Sequence, residues 1–129
     1  EVSATLAATR QRYPGRPLVG CFQPHTYSRS AYLLEGFRVC FKGLARLYLV
    51  PTYAAREPAS AGMDARSLAA AIESPTASYL DDVEGAAERI AADLEAGDVF
   101  VTLGAGDVDR LLPLVRARLE ARAEREAAS

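Results

Sequence analysis

The stretch Pro17–Ser30, PLVGCFQPHTYSRS, decides how this chain is read. It opens on an apolar run, Leu18, Val19, Gly20, Cys21 and Phe22. That is the pattern of a strand buried on both faces, as central parallel strands are. The run then turns polar at Gln23, Pro24, His25, Thr26, Tyr27, Ser28, Arg29 and Ser30, and His25 is the only histidine of the chain. An apolar period at helical spacing follows at Leu33, Phe37, Cys40 and Leu44, with Ser28 or Ser30 as its cap. A buried strand that releases polar side chains ahead of a helix is where open α/β sheets hold ligands.

The same alternation extends outward in both directions. Upstream, Val2, Leu6, Thr9 and Tyr13 share a helical face that Pro14-Gly15 ends. Downstream, Arg46–Val50 reads as a second strand, followed by a long irregular loop, Pro51–Gly62. Asp64 caps a short helix bearing Leu68 and Ile72, and Ala77–Leu80 is a weak third strand. Asp81 and Glu84 form a capping box for a helix with Val83, Ala87, Ile90 and Leu94 inward, stopped at Gly97. Asp98–Leu103 is a further buried strand, and Gly104-Ala105-Gly106-Asp107 leads to the last helical region. There Val108, Leu111, Leu112, Val115 and Leu119 are apolar, and Pro113 places the helix start near itself. Residues 121–129 form a polar helical tail expected to fray. Strands alternating with helices predict an α/β domain, its parallel sheet covered on both faces. Four polar strand ends then converge on one edge: Gln23-Pro24-His25, Thr52–Glu57, Asp81-Asp82 and Gly104–Asp107.

The totals narrow the class. The length, 129 residues, fits one domain with a real core. A net charge of −2 does not favour a nucleic-acid partner, and no apolar run reaches membrane-spanning length. No leader peptide is visible, so a cytoplasmic setting is expected, with Cys21 and Cys40 as free thiols. No metal-ligand spacing occurs. The chain begins at Glu1 rather than Met, which leads us to expect a piece of a longer protein.

Taken singly, the motifs leave alternatives open. Gly104–Asp107 reads equally as a tight turn capped by Asp107 or as an anion-binding loop. It lacks the third glycine of a dinucleotide fingerprint, because Asp109 stands there, and it has no Lys-Ser or Lys-Thr pair. His25 reads as an acid/base, a ligand contact or a structural histidine. Arg29, at a helix start, is unfavourable for the helix dipole and reads as awaiting an anionic partner or, more commonly, as an arginine on a solvated face. Tyr53 reads as a ligand contact or a lid over the sheet edge, and Arg56-Glu57 as a surface pair.

Together, FQPHTYSR after the first strand, YAAREP after the second and GAGD after the last resemble the C-terminal domain of the Mur ligases. The resemblance runs from Glu1 to about Leu119. It implies a Rossmann-like three-layer domain over residues 1–120, amino-acid-binding and lid-like. It is most similar to the branch that joins L-alanine to UDP-N-acetylmuramate through an acyl phosphate, in bacterial peptidoglycan precursor synthesis. The resemblance also implies ATP and Mg2+ in the intact enzyme, bound mainly to a central ATPase domain, and an N-terminal UDP-sugar domain as further partner. No catalytic residue and no metal ligand is expected in this segment, which alone would be inactive and bind no cofactor tightly. By this resemblance His25 and Arg29 match the amino-acid carboxylate site, with Tyr27, Tyr53 and Glu57 beside them, and Gly104, Ala105, Gly106 and Asp107 lie on the nucleotide side. Thr26 stands where many members have a second arginine, and Arg56 where members often have glycine. The other readings are the same domain of the branch that attaches recycled murein tripeptide, and a stand-alone Rossmann-like binding module.

Overall fold

The apolar run Leu18–Phe22 is strand β1, buried at every residue. In the computed structural model, which describes residues 1–104 and 106–129, it lies between β2 (Arg46–Leu49) and β4 (Val99–Leu103). The outer strand β3 (Ala77–Tyr79) follows β2, giving the order β3-β2-β1-β4 with every pairing parallel. Gly20 is in register with Leu47 on one side and Val101 on the other. The chain leaves β1 toward β2 and returns to β1's other flank only as β4. The order therefore reverses at the C-terminal ends of β1 and β4, the switch point where such sheets form a crevice.

Alternation along the strands builds two cores, and the domain has three layers. Val19, Cys21, Tyr48 and Val50 face α5 (Val83–Asp93) and α6 (Leu111–Ala128). Leu18, Phe22, Leu47 and Leu49 face Leu6 of α1 (Val2–Arg12), Phe41 after α3 (Leu34–Val39), and Leu68 of α4 (Ala65–Ala71). Burial pushes the Cys21 thiol up to about 12, so it stays protonated at neutral pH, and both cysteines are free. Among the described residues no helix is long and apolar enough to cross a membrane.

Several local expectations are corrected. The helix after β1 is two short pieces, α2 (Tyr27–Tyr32) and α3, meeting at Leu33. That break turns Leu33 outward, 41% exposed, and Phe41 fills the core instead. Thr26, not Ser28 or Ser30, caps α2: its hydroxyl accepts from the Arg29 N–H at 3.3 Å. Asp82, not Asp81, caps α5, accepting from the Gly85 N–H at 2.6 Å. Glu84 pairs with Arg110 and Asp81 with Arg66. The helix α5 ends before Gly97, with Leu94 as its cap; Gly97 instead turns the chain into β4 at φ 94°. Leu112 is exposed; the helix start near Pro113 is as expected, α6 beginning at Leu111 with Pro113 in its first turn, where the missing N–H costs nothing. Apart from these corrections, the stretch after residue 120 continues α6 to Ala128, and Arg122 donates to the Ala91 and Leu94 carbonyls at 3.0 and 2.8 Å.

Candidate functional site

Beyond Phe22 the polar stretch does two jobs, one inside the fold and one outside. Gln23 is 2% exposed and ties the crevice together. Its amide donates to the Pro51 carbonyl at 3.1 Å, beyond β2, and its oxygen accepts from the Val108 N–H at 2.9 Å, beyond β4. Three strand ends thus meet at one buried amide. The fourth, at Asp81-Asp82, stands on the outer strand and is engaged with Arg66 and the start of α5.

His25 and Tyr53 form the outer surface of this junction. They make an isolated parallel bridge, with the Tyr53 N–H donating to the Pro24 carbonyl and the Thr26 N–H to the Tyr53 carbonyl, each at 2.8 Å. Their rings stack, centroids 5.4 Å apart and planes 21° apart. A Cβ on Gly106 would sit 3.0 Å from the Tyr53 ring, so Tyr53 also covers the last loop.

That loop needs its glycines. Gly104 has φ 96°, and a Cβ there would lie 2.5 Å from the Gln23 carbonyl oxygen. An L side chain is disfavoured twice, by dihedral and by contact. Gly106, at φ 103°, caps the short 3-10 turn Asp107–Arg110, and no side chain caps that turn. Asp107 is exposed, with Oδ2 3.5 Å from the Gln23 amide nitrogen. The Val108 and Asp109 N–H groups are already bonded, to Gln23 and the Gly106 carbonyl. The candidate Ala105 lies outside the described residues.

A groove of about 400 Å3 opens beside the junction. Its wall is apolar at Phe22, Phe37 and Cys40, and polar at Glu1, His25, Arg29 and Glu35, of which Glu35 is paired with Arg38. Arg29 is exposed and makes no ion pair among the described residues. An apolar pocket with a free guanidinium at its mouth suits a small molecule carrying a carboxylate.

Tyr27 and Glu57 stand behind this mouth. Tyr27 is half-buried, and its carbonyl accepts from the Met63 N–H at 2.9 Å. Glu57 does not pair with Arg56. Its Oε1 accepts from the Tyr27 and Ser28 N–H groups at 2.8 and 3.1 Å, and its Oε2 from the Ser28 hydroxyl at 2.5 Å. The Ser28 hydroxyl, then the Ser28 N–H, hold this carboxyl below its usual range. The sequence reading places Gln23 in a converging strand end but misses its role as a buried bridge between β2 and β4.

Residues 1–106 match the Mur ligase, glutamate ligase domain family, and the chain belongs to that family. Curated relatives sharpen the likeness. The chain is 41% identical over 127 residues to the UDP-N-acetylmuramate–L-alanine ligase of Mycolicibacterium vanbaalenii, covering 95% of this chain and 26% of that protein. It is 42% identical over 113 residues to the enzyme of the same name from Acidithiobacillus ferrooxidans, covering 86% and 24%. The chain thus spans about a quarter of the length of these relatives. Two solved structures share the fold. One is a domain of a UDP-N-acetylmuramate:L-alanyl-γ-D-glutamyl-diaminopimelate ligase from Haemophilus ducreyi, with TM-score 0.61, 15% identity, and 91% of this chain and 80% of that one covered. The other is the UDP-N-acetylmuramate-alanine ligase of Thermotoga maritima, with TM-score 0.59, 14% identity, and 95% and 24% covered.

Proposed function

We propose that this chain is the amino-acid-presenting domain of an ATP-dependent ligase that joins L-alanine to UDP-N-acetylmuramate in bacterial peptidoglycan precursor synthesis. The Arg29 guanidinium, without an ion pair among the described residues and lining with His25 a small groove on the switch-point edge, carries this reading. A planar guanidinium holds a carboxylate bidentately and so fixes the amine of the same molecule for attack. The contribution is positioning rather than proton transfer. Tyr53 stacks on His25 and steadies it, while Tyr27 and Glu57 support the first turn behind Arg29.

The acyl phosphate of the proposed reaction is formed with ATP and Mg2+. The residues of this chain do not by themselves fit a magnesium ion: among those described, no three His, Cys, Asp or Glu side chains come together as a cation requires. Ligands from a central ATPase domain are needed, and a UDP-sugar domain would complete the enzyme in the cytoplasm. Gly104 and Gly106 bring bare backbone to the edge assigned to the nucleotide. Residues 1–120 form the amino-acid-binding unit in this reading, and the chain alone turns over nothing.

The test is steady-state kinetics on the ligase that carries this chain, each substrate varied in turn. A hydrogen bond to a charged group is worth about 1.5–3 kcal/mol, so Arg29→Ala should cost about ten- to a hundredfold in kcat/KM for alanine. The KM values for ATP and the UDP-sugar should stay within about twofold. Unchanged use of alanine by a folded variant removes the carboxylate role. A ligase that takes a murein peptide in place of alanine assigns the domain to the recycling branch. A protein that binds ligand but forms no amide bond is the stand-alone module.

A further inference from the structure

The loop after β2 is strapped across the start of α2. Tyr53 bonds the backbone ahead of it and the Met63 N–H bonds the Tyr27 carbonyl; Glu57 sits between them with both oxygens on the first turn. Those are the N–H groups that a helix cannot satisfy internally, and α2 is only six residues long. Thr26, just ahead, holds φ 58°, a costly dihedral for a β-branched residue, so the turn depends on outside bonds. Arg29 follows Ser28 directly, and its placement in the groove depends on this turn.

The Glu57 carboxylate lies on the start of α2 and not on the groove wall. Three donors hold it on the backbone side, and Arg29 is left without an ion pair among the described residues. We propose that Glu57 is a positioning residue for the amino-acid substrate: by clamping the first turn of α2 it sets the Arg29 guanidinium against the groove. The inference rests on the reading of Arg29 given above. It also separates two adjacent residues, since Arg56 takes no part in the clamp.

The experiment is a double-mutant cycle in the ligase that carries this chain, with thermal midpoints recorded beside the KM of each substrate. Glu57→Gln should raise the KM for L-alanine about tenfold while those for ATP and the UDP-sugar move less than about twofold. Glu57→Asp, which restores the charge on a shorter arm, should recover part of the loss. In an Arg29→Ala background the Glu57→Gln effect on alanine should fall below about twofold, because both changes remove one interaction. Ser28→Ala, which deletes a single bond of the clamp, should act in the same direction and supplies the readout if Glu57→Gln does not fold. A lower thermal midpoint with unchanged alanine KM, or full additivity with Arg29→Ala, overturns the positioning role. If Arg29→Ala impairs alanine use and neither Glu57→Gln nor Ser28→Ala does, only this proposal falls; if Arg29→Ala itself has no effect, the site reading falls and this proposal with it.

Discussion

The two edges of the sheet use the same residue type for opposite ends. At the edge where the strands begin, arginines close helices onto the sheet. Arg10 donates to the Lys42 carbonyl at 2.7 Å, Arg16 to Gly97 at 2.8 Å and Arg46 to Asp93 at 2.7 Å, while Arg122 reaches Ala91 and Leu94. Several of these carbonyls lie at or just past helix C-termini, where a cation answers both the unpaired acceptors and the helix dipole. At the edge where the strands end, Arg29 stands in the six-residue α2, and the described residues give it no ion pair. An arginine with acceptors from its own chain is part of the fold. One without such acceptors is available to an anion from outside.

This contrast can be broken from several sides. The largest stability effect is expected at Gly104, whose positive φ and contact with the Gln23 carbonyl leave no room for Cβ. Gly104→Ala should cost about 2 kcal/mol or more in chemical denaturation, and a loss below about 0.5 kcal/mol would mean the loop relaxes freely.

A smaller effect is expected at the strand-start edge. The Tyr48 hydroxyl donates to Asp93 at 2.6 Å and is the main cause holding that carboxyl below its usual range. Asp93 is 31% exposed, so solvent screening limits Tyr48→Phe to about 1 kcal/mol at neutral pH. The sign follows from the lowered pKa. The Asp93 contribution is complete above the ordinary carboxylate range and disappears as pH falls through the depressed folded value, so wild type and variant should converge on acidification. A difference that stays constant with pH would show that ionisation of Asp93 is not involved.

The smallest effect is expected at Arg56, a non-glycine residue at φ 73°. Arg56→Gly should relieve left-handed strain of about 1 kcal/mol, partly offset by the freer unfolded chain, for a net change of a few tenths in either stability or alanine kinetics. A marked rise in alanine KM would instead make Arg56 a second cation of the site.

Much of this architecture was legible because it is periodic. The apolar run Leu18–Phe22 and the helical spacing of Val83, Ala87 and Ile90 place elements by pattern alone, and the polar breaks after the strands located the crevice. What escaped depends on single dihedrals or on distant partners. Choosing Asp82 over Asp81 as cap requires knowing which residue leaves the helical region, and both are aspartates. The break at Leu33 rests on that residue's own dihedrals, φ −100° and ψ 14°, which no period records. Gln23 meets Val108 across 85 positions, and Glu57 meets Ser28 across 29, so neither bond leaves a local signature.

The central claim is that Arg29 recognises the carboxylate of the incoming amino acid, and a substrate lacking that charge tests it most directly. The proposed ligase, with Arg29 intact, should prefer L-alanine over L-alaninamide by about ten- to a hundredfold in kcat/KM, the worth of a charged hydrogen bond. In Arg29→Ala that preference should collapse to within about twofold while the thermal midpoint stays unchanged, as for an exposed side chain outside the core. A preference that survives the loss of Arg29 undiminished would contradict the account.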